Sequence, residues 1–133
     1  MFKITTKVDY GIIILRALAL QYGKAPVSLK IIAQQNSLPY HYLGQVITPL
    51  KKAGLVESHE GLNGGYRLAR SPKKISLQEI ALILSPRQKL NRCLLEDHEQ
   101  CKRAKSCDVA PWWFQFNIRF EKLIQDITLA DLI

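Results

Sequence analysis

Three cysteines, Cys93, Cys101 and Cys107, lie within fifteen residues of a 133-residue chain, spaced C-x7-C-x5-C. Thiolates are natural ligands for iron–sulfur clusters and for zinc. A disulfide framework would pair evenly and spread along the chain. An odd number confined to one segment instead predicts a reducing, cytoplasmic setting and a local metal or redox site. A closed site takes four ligands, so one must come from elsewhere. His98, between Cys93 and Cys101, would complete a Cys3His zinc site. Lys102, Arg103 and Lys105 flank the thiols, which suits ligation or thiol reactivity alike.

A second set of residues carries charge rather than reactivity. The chain has 19 Lys and Arg against 11 Asp and Glu, a net charge of +8. Residues 1–80 hold eleven basic and four acidic side chains, a net of +7, and the remainder is nearly neutral at +1. A general solubility charge has no reason to gather in one part, so this asymmetry predicts a polyanion partner. With 47% apolar residues, a disordered tail or a fibre is excluded. The N-terminus imitates a signal peptide. However, Asp9 and Arg16 bracket six apolar residues, too few for one, and no run approaches a membrane span of ~20 residues. There is no Ser/His/Asp grouping, no phosphate-binding glycine loop and no evident carboxylate pair, so an enzyme is not expected.

The elements that must position these residues follow from periodicity. Thr6 to Gln21 reads as a centrally buried helix, apolar nearly all round, with Thr6 and Asp9 at capping-box spacing. Ser28 is the expected N-cap of a short helix from Leu29 to Gln35. After a three-residue turn, a helix runs from Pro39 to Ala53 with Leu43, Val46, Ile47 and Leu50 on one stripe. Two extended pieces, Leu55 to His59 and Tyr66 to Ala69, flank a Gly-rich tip, and Ser76 with Glu79 opens a helix to Leu84. Ser85 to Pro111 is a polar loop. The last helix, Trp112 to Ile127, carries a two-heptad seam of Trp113, Phe116, Phe120, Leu123 and Ile127. Trp112 and Trp113 open this near-neutral segment and read as dimer core rather than as a platform for stacking bases.

A short helix, a tight turn, an amphipathic helix and a hairpin describe a mainly α fold with a small β-hairpin, a winged helix-turn-helix. Residues 1–84 would form that domain, 85–111 a sensor loop, and 112–133 a dimerisation helix and tail. The third helix offers Tyr40, His41, Gln45, Thr48, Lys51 and Lys52 outward. Gln45 can pair with adenine, Tyr40 and Thr48 can reach phosphate or a thymine methyl, and the lysines suit phosphates. Ser28, Arg67 and Arg70 are further candidate DNA contacts. Because one winged helix covers a half-site, a homodimer on a pseudo-palindromic double-stranded operator is expected, with no membrane role.

The segments Ser28 to Ala33, Tyr42 to Val46, Leu50 to Val56 and Gly61 to Arg70, with Asp9-Tyr10-Gly11 and Thr128 to Leu132, resemble the Rrf2 family of bacterial transcription regulators. The similarity spans essentially the whole chain, and the G-x-x-G-G-Y-x-L wing after L-x-K-A-G-L-V is its most specific part. The resemblance implies homodimers whose long C-terminal helices cross and a cysteine loop holding a 2Fe–2S or 4Fe–4S cluster that senses redox state, nitric oxide or iron–sulfur status. Some members complete the cluster with a His three residues after the last Cys; that position here is Ala110. Others use an Asp near the N-terminus of the partner subunit, which matches Asp9. Many members place a basic residue before the wing glycine, where this chain has Glu60, so wing contacts would shift to Arg67 and Arg70. Others have Glu where this chain has Gly44, which implies a different operator. The alternatives are a zinc-stabilised or thiol-based regulator without a cluster, or a winged-helix module for protein contacts.

Overall fold

The structure is a computed structural model that describes residues 4–87, 89–94 and 101–133. Helix α1 (Thr6–Leu20) runs through the centre and buries Val8, Gly11, Ile14, Leu15, Leu18 and Ala19. Its cap is Thr5, not Thr6: the Thr5 hydroxyl accepts the Val8 N–H at 3.3 Å. The expected Thr6–Asp9 capping box therefore does not form. Two adjacent threonines offer two local solutions. The extended backbone at Thr5 selects the first, and Thr5 also meets the Ser85 hydroxyl at 3.2 Å at the end of a distant helix.

Helix α2 (Leu29–Asn36) starts at Ser28, whose hydroxyl accepts the Lys30 N–H. It ends on Ser37 in the left-handed conformation. Helix α3 (Tyr40–Lys52) follows and buries the expected stripe of Leu43, Val46, Ile47 and Leu50. Pro49 lies inside α3 and withholds the amide that would serve the Gln45 carbonyl. Strands β1 (Val56–His59) and β2 (Gly65–Leu68) form the antiparallel wing, with Glu57 facing Arg67 and Ser58 facing Tyr66. Val27 joins the wing as a third edge by exchanging two 2.8 Å backbone bonds with Tyr66. Helix α4 (Leu77–Leu84) is capped by Ser76, but the Glu79 side chain pairs with Arg70 at the base of the wing instead of closing the capping box. The core gathers side chains from α1 to α4 with Leu55, Ile75 and Leu129.

Helix α5 spans Ala110–Asp126, starting two residues before the expected Trp112, and buries none of its residues fully. The predicted seam divides: Trp113 and Phe120 are half-buried, whereas Phe116 and Leu123 are exposed, Leu123 by 59%. A straight 3.6-residue helix rotates these positions apart, and α4 covers part of the apolar arc. Beyond α5, Leu77 N–H bonds the Ile127 carbonyl and Leu129 N–H bonds the Ile75 carbonyl, each at 2.8 Å. Thr128 and Asp131, at the same spacing as Thr6 and Asp9, do form a capping box, Leu129 is fully buried, and Arg16 donates to the Leu132 carbonyl at 2.7 Å. No helix among the described residues is long and apolar enough to cross a membrane.

The third wing glycine, Gly65, has a steric reason. Gly65 has φ of +150°, and a Cβ there would lie 2.4 Å from the Val27 carbonyl oxygen and 2.8 Å from the Ser28 nitrogen. Both are backbone atoms of the strand edge that holds the wing, so neither can yield. Gly65→Ala is expected to cost about 1–3 kcal/mol in denaturant unfolding. Gly54→Ala, at φ of +78° with open space around it, should cost less.

Candidate nucleic-acid interface and cysteine cavity

The outward face of α3 carries the side chains expected of a reading surface. Tyr40, His41, Gln45, Thr48, Lys51 and Lys52 all lie on the arc opposite the buried stripe of Leu43, Val46, Ile47 and Leu50, which turns them to solvent. The Thr48 hydroxyl donates to the Gly44 carbonyl at 2.7 Å. Its hydrogen is thus used within the helix, which leaves the methyl and the oxygen's lone pairs as the groups that Thr48 can offer a base. A Cβ on Gly44 would meet nothing within 4 Å, so no packing within the protein calls for glycine at this position. Ser28, half-buried, accepts the Lys30 N–H through its hydroxyl oxygen in the α2 cap, which leaves its O–H hydrogen free to donate.

The wing arginines are both engaged. Arg70 pairs with Glu79, and Arg67 donates its Nε–H to Glu57 at 2.6 Å. His59 lies 3.5 Å from the same Glu57 oxygen. Arg67 chiefly, and then His59, holds the Glu57 carboxyl below the usual carboxylate range. A depressed carboxylate pKa contributes above its unfolded value and is lost as pH falls through the depressed one. The wing pair therefore persists across neutral and mildly acidic pH. Glu57 and Glu79 were not anticipated as partners. The hairpin register alone could have suggested Glu57, since a tip centred on Gly61 to Gly64 sets it opposite Arg67. At the tip, Glu60 and Leu62 stand exposed.

The three thiols come together. Cys93, in a short 3-10 turn over Arg92–Leu94, and Cys101 and Cys107, just before α5, are half-buried and free, and all three line one cavity of about 640 Å³. Its walls include Leu90, Arg103, Ala110, Trp113 and Phe114. Trp113 is therefore a wall of the cysteine cavity, a role its seam position did not reveal. Trp112 stacks on Phe116 with ring centroids 5.3 Å apart. Ala110, where some Rrf2 members carry a ligand, faces the cavity but brings no donor. Among the described residues, no three His, Cys, Asp or Glu side chains are close enough to hold one metal ion. Asp9 is exposed on α1 and is not part of the cavity, and its carboxylate makes no hydrogen bond or ion pair among the described residues. His98 lies outside the described residues.

A family profile described as "Iron-dependent Transcriptional regulator", Rrf2, matches residues 4–133. The chain belongs to the Rrf2 family. CymR of Bacillus subtilis, an HTH-type transcriptional regulator, is 39% identical over 98% of this chain and 88% of its own length. IscR of Sodalis glossinidius is 29% identical over 98% of this chain and 78% of its own. Among solved structures, B. subtilis CymR, described as the global cysteine regulator, superposes with a TM-score of 0.79 over 99% of this chain and 96% of that one. T. potens IscR, 35% identical, gives 0.73 over 98% and 85%. The fold is thus the winged helix of this family, and the chain is a DNA-binding transcription regulator rather than an enzyme.

Gly44 separates the needs of the helix from those of the DNA. Gly44→Ala is expected to raise the thermal midpoint, since alanine favours an exposed helix by up to about 1 kcal/mol. If the outward face of α3 meets DNA as the sequence predicts, the same variant is expected to weaken binding to a selected operator in gel-shift titration, because the added methyl would stand on that face.

Proposed function

We propose that this chain is a cytoplasmic, homodimeric regulator that reads a pseudo-palindromic operator with α3 and adjusts binding through its cysteine cavity. The observation that carries this reading is the convergence of three thiols on one cavity at the start of α5. The donor set and volume suit an iron–sulfur cluster of the 2Fe–2S or 4Fe–4S kind. The description of the family as iron-dependent supports the same choice. A bound cluster would supply a centre whose charge and integrity respond to redox state and nitric oxide. Cys93, Cys101 and Cys107 would hold it, with Asp9 of the partner subunit as fourth ligand and His98 as the alternative. Thr5 does the capping, and among the described residues the Asp9 carboxylate has no hydrogen-bond or ion-pair partner that a cluster would have to displace.

The dimer is supported by α5. Trp112, Phe116 and Leu123 form one uncovered apolar flank, and Phe114 and Ile118 another, on a helix with no fully buried residue. A second copy is the natural cover for such a helix in a family of dimeric regulators. The base of α5 is stitched to Ser76 and Leu77, and Glu79 nearby on α4 holds Arg70 at the wing. A change in the cavity that tilts α5 therefore moves the support of the wing. The second reading, a thiol-based regulator without a cluster, is favoured by the likeness to a cysteine regulator.

Anaerobic purification tests the choice. The expected sample is brown with stoichiometric iron and sulfide, and Cys93→Ser, Cys101→Ser or Cys107→Ser bleaches it. A colourless, iron-free protein whose DNA affinity follows thiol oxidation would select the second reading. Asp9→Asn and Asp9→Ala should both melt within about 1 kcal/mol of the parent protein, the share of a first-turn carboxylate in the α1 dipole, because Thr5 does the capping, yet both should shift or bleach the visible spectrum. An unchanged spectrum in Asp9→Ala would remove the cross-subunit ligand. On the DNA side, Gln45→Ala should relax preference at one position per half-site. Lys51→Ala should weaken all sequences alike and lower the salt slope by about 0.9 for each phosphate it leaves without a cation.

A further inference from the structure

One face of the wing hairpin brings three ionisable side chains together. Side chains alternate along a strand, so Glu57 and His59 of β1 share a face with Arg67 of β2, which stands directly opposite Glu57. Arg67 donates to Glu57 Oε1 at 2.6 Å, and His59 Nε2 lies 3.5 Å from the same oxygen. His59 Nε2 is screened from solvent and makes no well-formed hydrogen bond. An arginine and a histidine converging on one oxygen form an anion site, and here the anion is the protein's own carboxylate. A DNA phosphate presents the same charge and the same acceptor oxygens to a guanidinium. The Glu57 and Arg67 side chains are each nearly half exposed, so the bond between them is of the weak, exchangeable kind. Residues 56–68 contain one arginine and no lysine, so Arg67 is the one permanent cation of the hairpin.

We propose that Glu57 is a built-in competitor of the DNA backbone. In the free protein its carboxylate occupies the place on Arg67 and His59 that a backbone phosphate takes in the complex. Glu57 thereby sets how much the wing adds to affinity. With Glu60 at the tip, this leaves base reading to α3 and keeps binding to unrelated sequences low. The proposal rests on the wing meeting the DNA.

The test uses the intact protein, an operator recovered from a random-sequence pool and an unrelated duplex, with anisotropy titrations over a salt series. Glu57→Gln is expected to tighten binding to both duplexes alike, by about threefold to tenfold per dimer, with a steeper salt dependence. The gain should vanish in Glu57→Gln combined with Arg67→Gln. Glu60→Gln removes an equal charge that does not touch Arg67, so it should give a smaller gain that survives Arg67→Gln. Glu57→Thr, which suits a strand, repeats the measurement should the Gln variant fold poorly. A gain equal to that of Glu60→Gln, or one that persists without Arg67, would make Glu57 an ordinary surface charge and overturn the proposal. So would no gain at all while Arg67→Gln weakens binding. If no wing variant alters binding while Lys51→Ala still does, the wing does not meet the DNA, and the proposal falls with that reading.

Discussion

The base of α5 is fixed to the winged core by main-chain hydrogen bonds between residues 75–77 and 127–129, and much of the arrangement depends on this short pairing. A seventeen-residue helix that buries none of its side chains fully has little of its own to hold it in place. Leu129, fully buried next to Ile75, and the Thr128–Asp131 capping box secure the tail, and the Arg16 guanidinium ties its end to α1. With one end anchored, the other end of α5 carries Ala110, Trp113 and Phe114 to the wall of the cysteine cavity. The helix thus connects the three thiols to the residues that support the wing.

Two kinds of contact hold the wing, and they differ in strength. Its inner edge is fixed by backbone: Val27 and Tyr66 exchange two hydrogen bonds over Gly65, where no side chain fits. Its outer face is held by exposed ion pairs, Arg67 with Glu57 and Arg70 with Glu79, each of modest strength in water. The position of the wing is therefore firm while its charges stay exchangeable. The net of +7 over residues 1–80 overstates the field near the wing, where acids neutralise the arginines, and the exposed lysines of that region include Lys51 and Lys52 at the end of α3. Those two also stand in the last turn of α3, where cations are favoured by the helix dipole.

Much of the fold was legible in the residues because it rests on local rules. The 3,4-spacing of Leu43, Val46, Ile47 and Leu50 fixed both the buried stripe of α3 and, by exclusion, the outward face from Tyr40 to Lys52. Ser28 and Ser76 marked two helix starts as N-caps do, and the glycines of the tip marked the hairpin. Local rules failed where two of them were equally good. Thr5 and Thr6 could each cap α1, and a hydrogen bond with Ser85, eighty residues away, went with the first. The heptad spacing on α5 also left out one partner: within the chain, α4 and the turn at Arg92–Leu94 already pack against this helix, so Trp113 and Phe120 are half-buried while Phe116 and Leu123 stay exposed.

By itself, then, the sequence determined the helix-turn-helix, the hairpin, the charge asymmetry and the clustering of three cysteines in one segment, since composition and short spacings carry these. The tertiary structure decided what those parts face. It put the three cysteines on one cavity with Trp113, left the Asp9 carboxylate without a partner among the described residues, and committed Arg67 and Arg70 to acids of the same chain. Each of these depends on how groups far apart in the chain are brought together or kept apart. Such meetings are set by core packing and strand register, which no single segment contains.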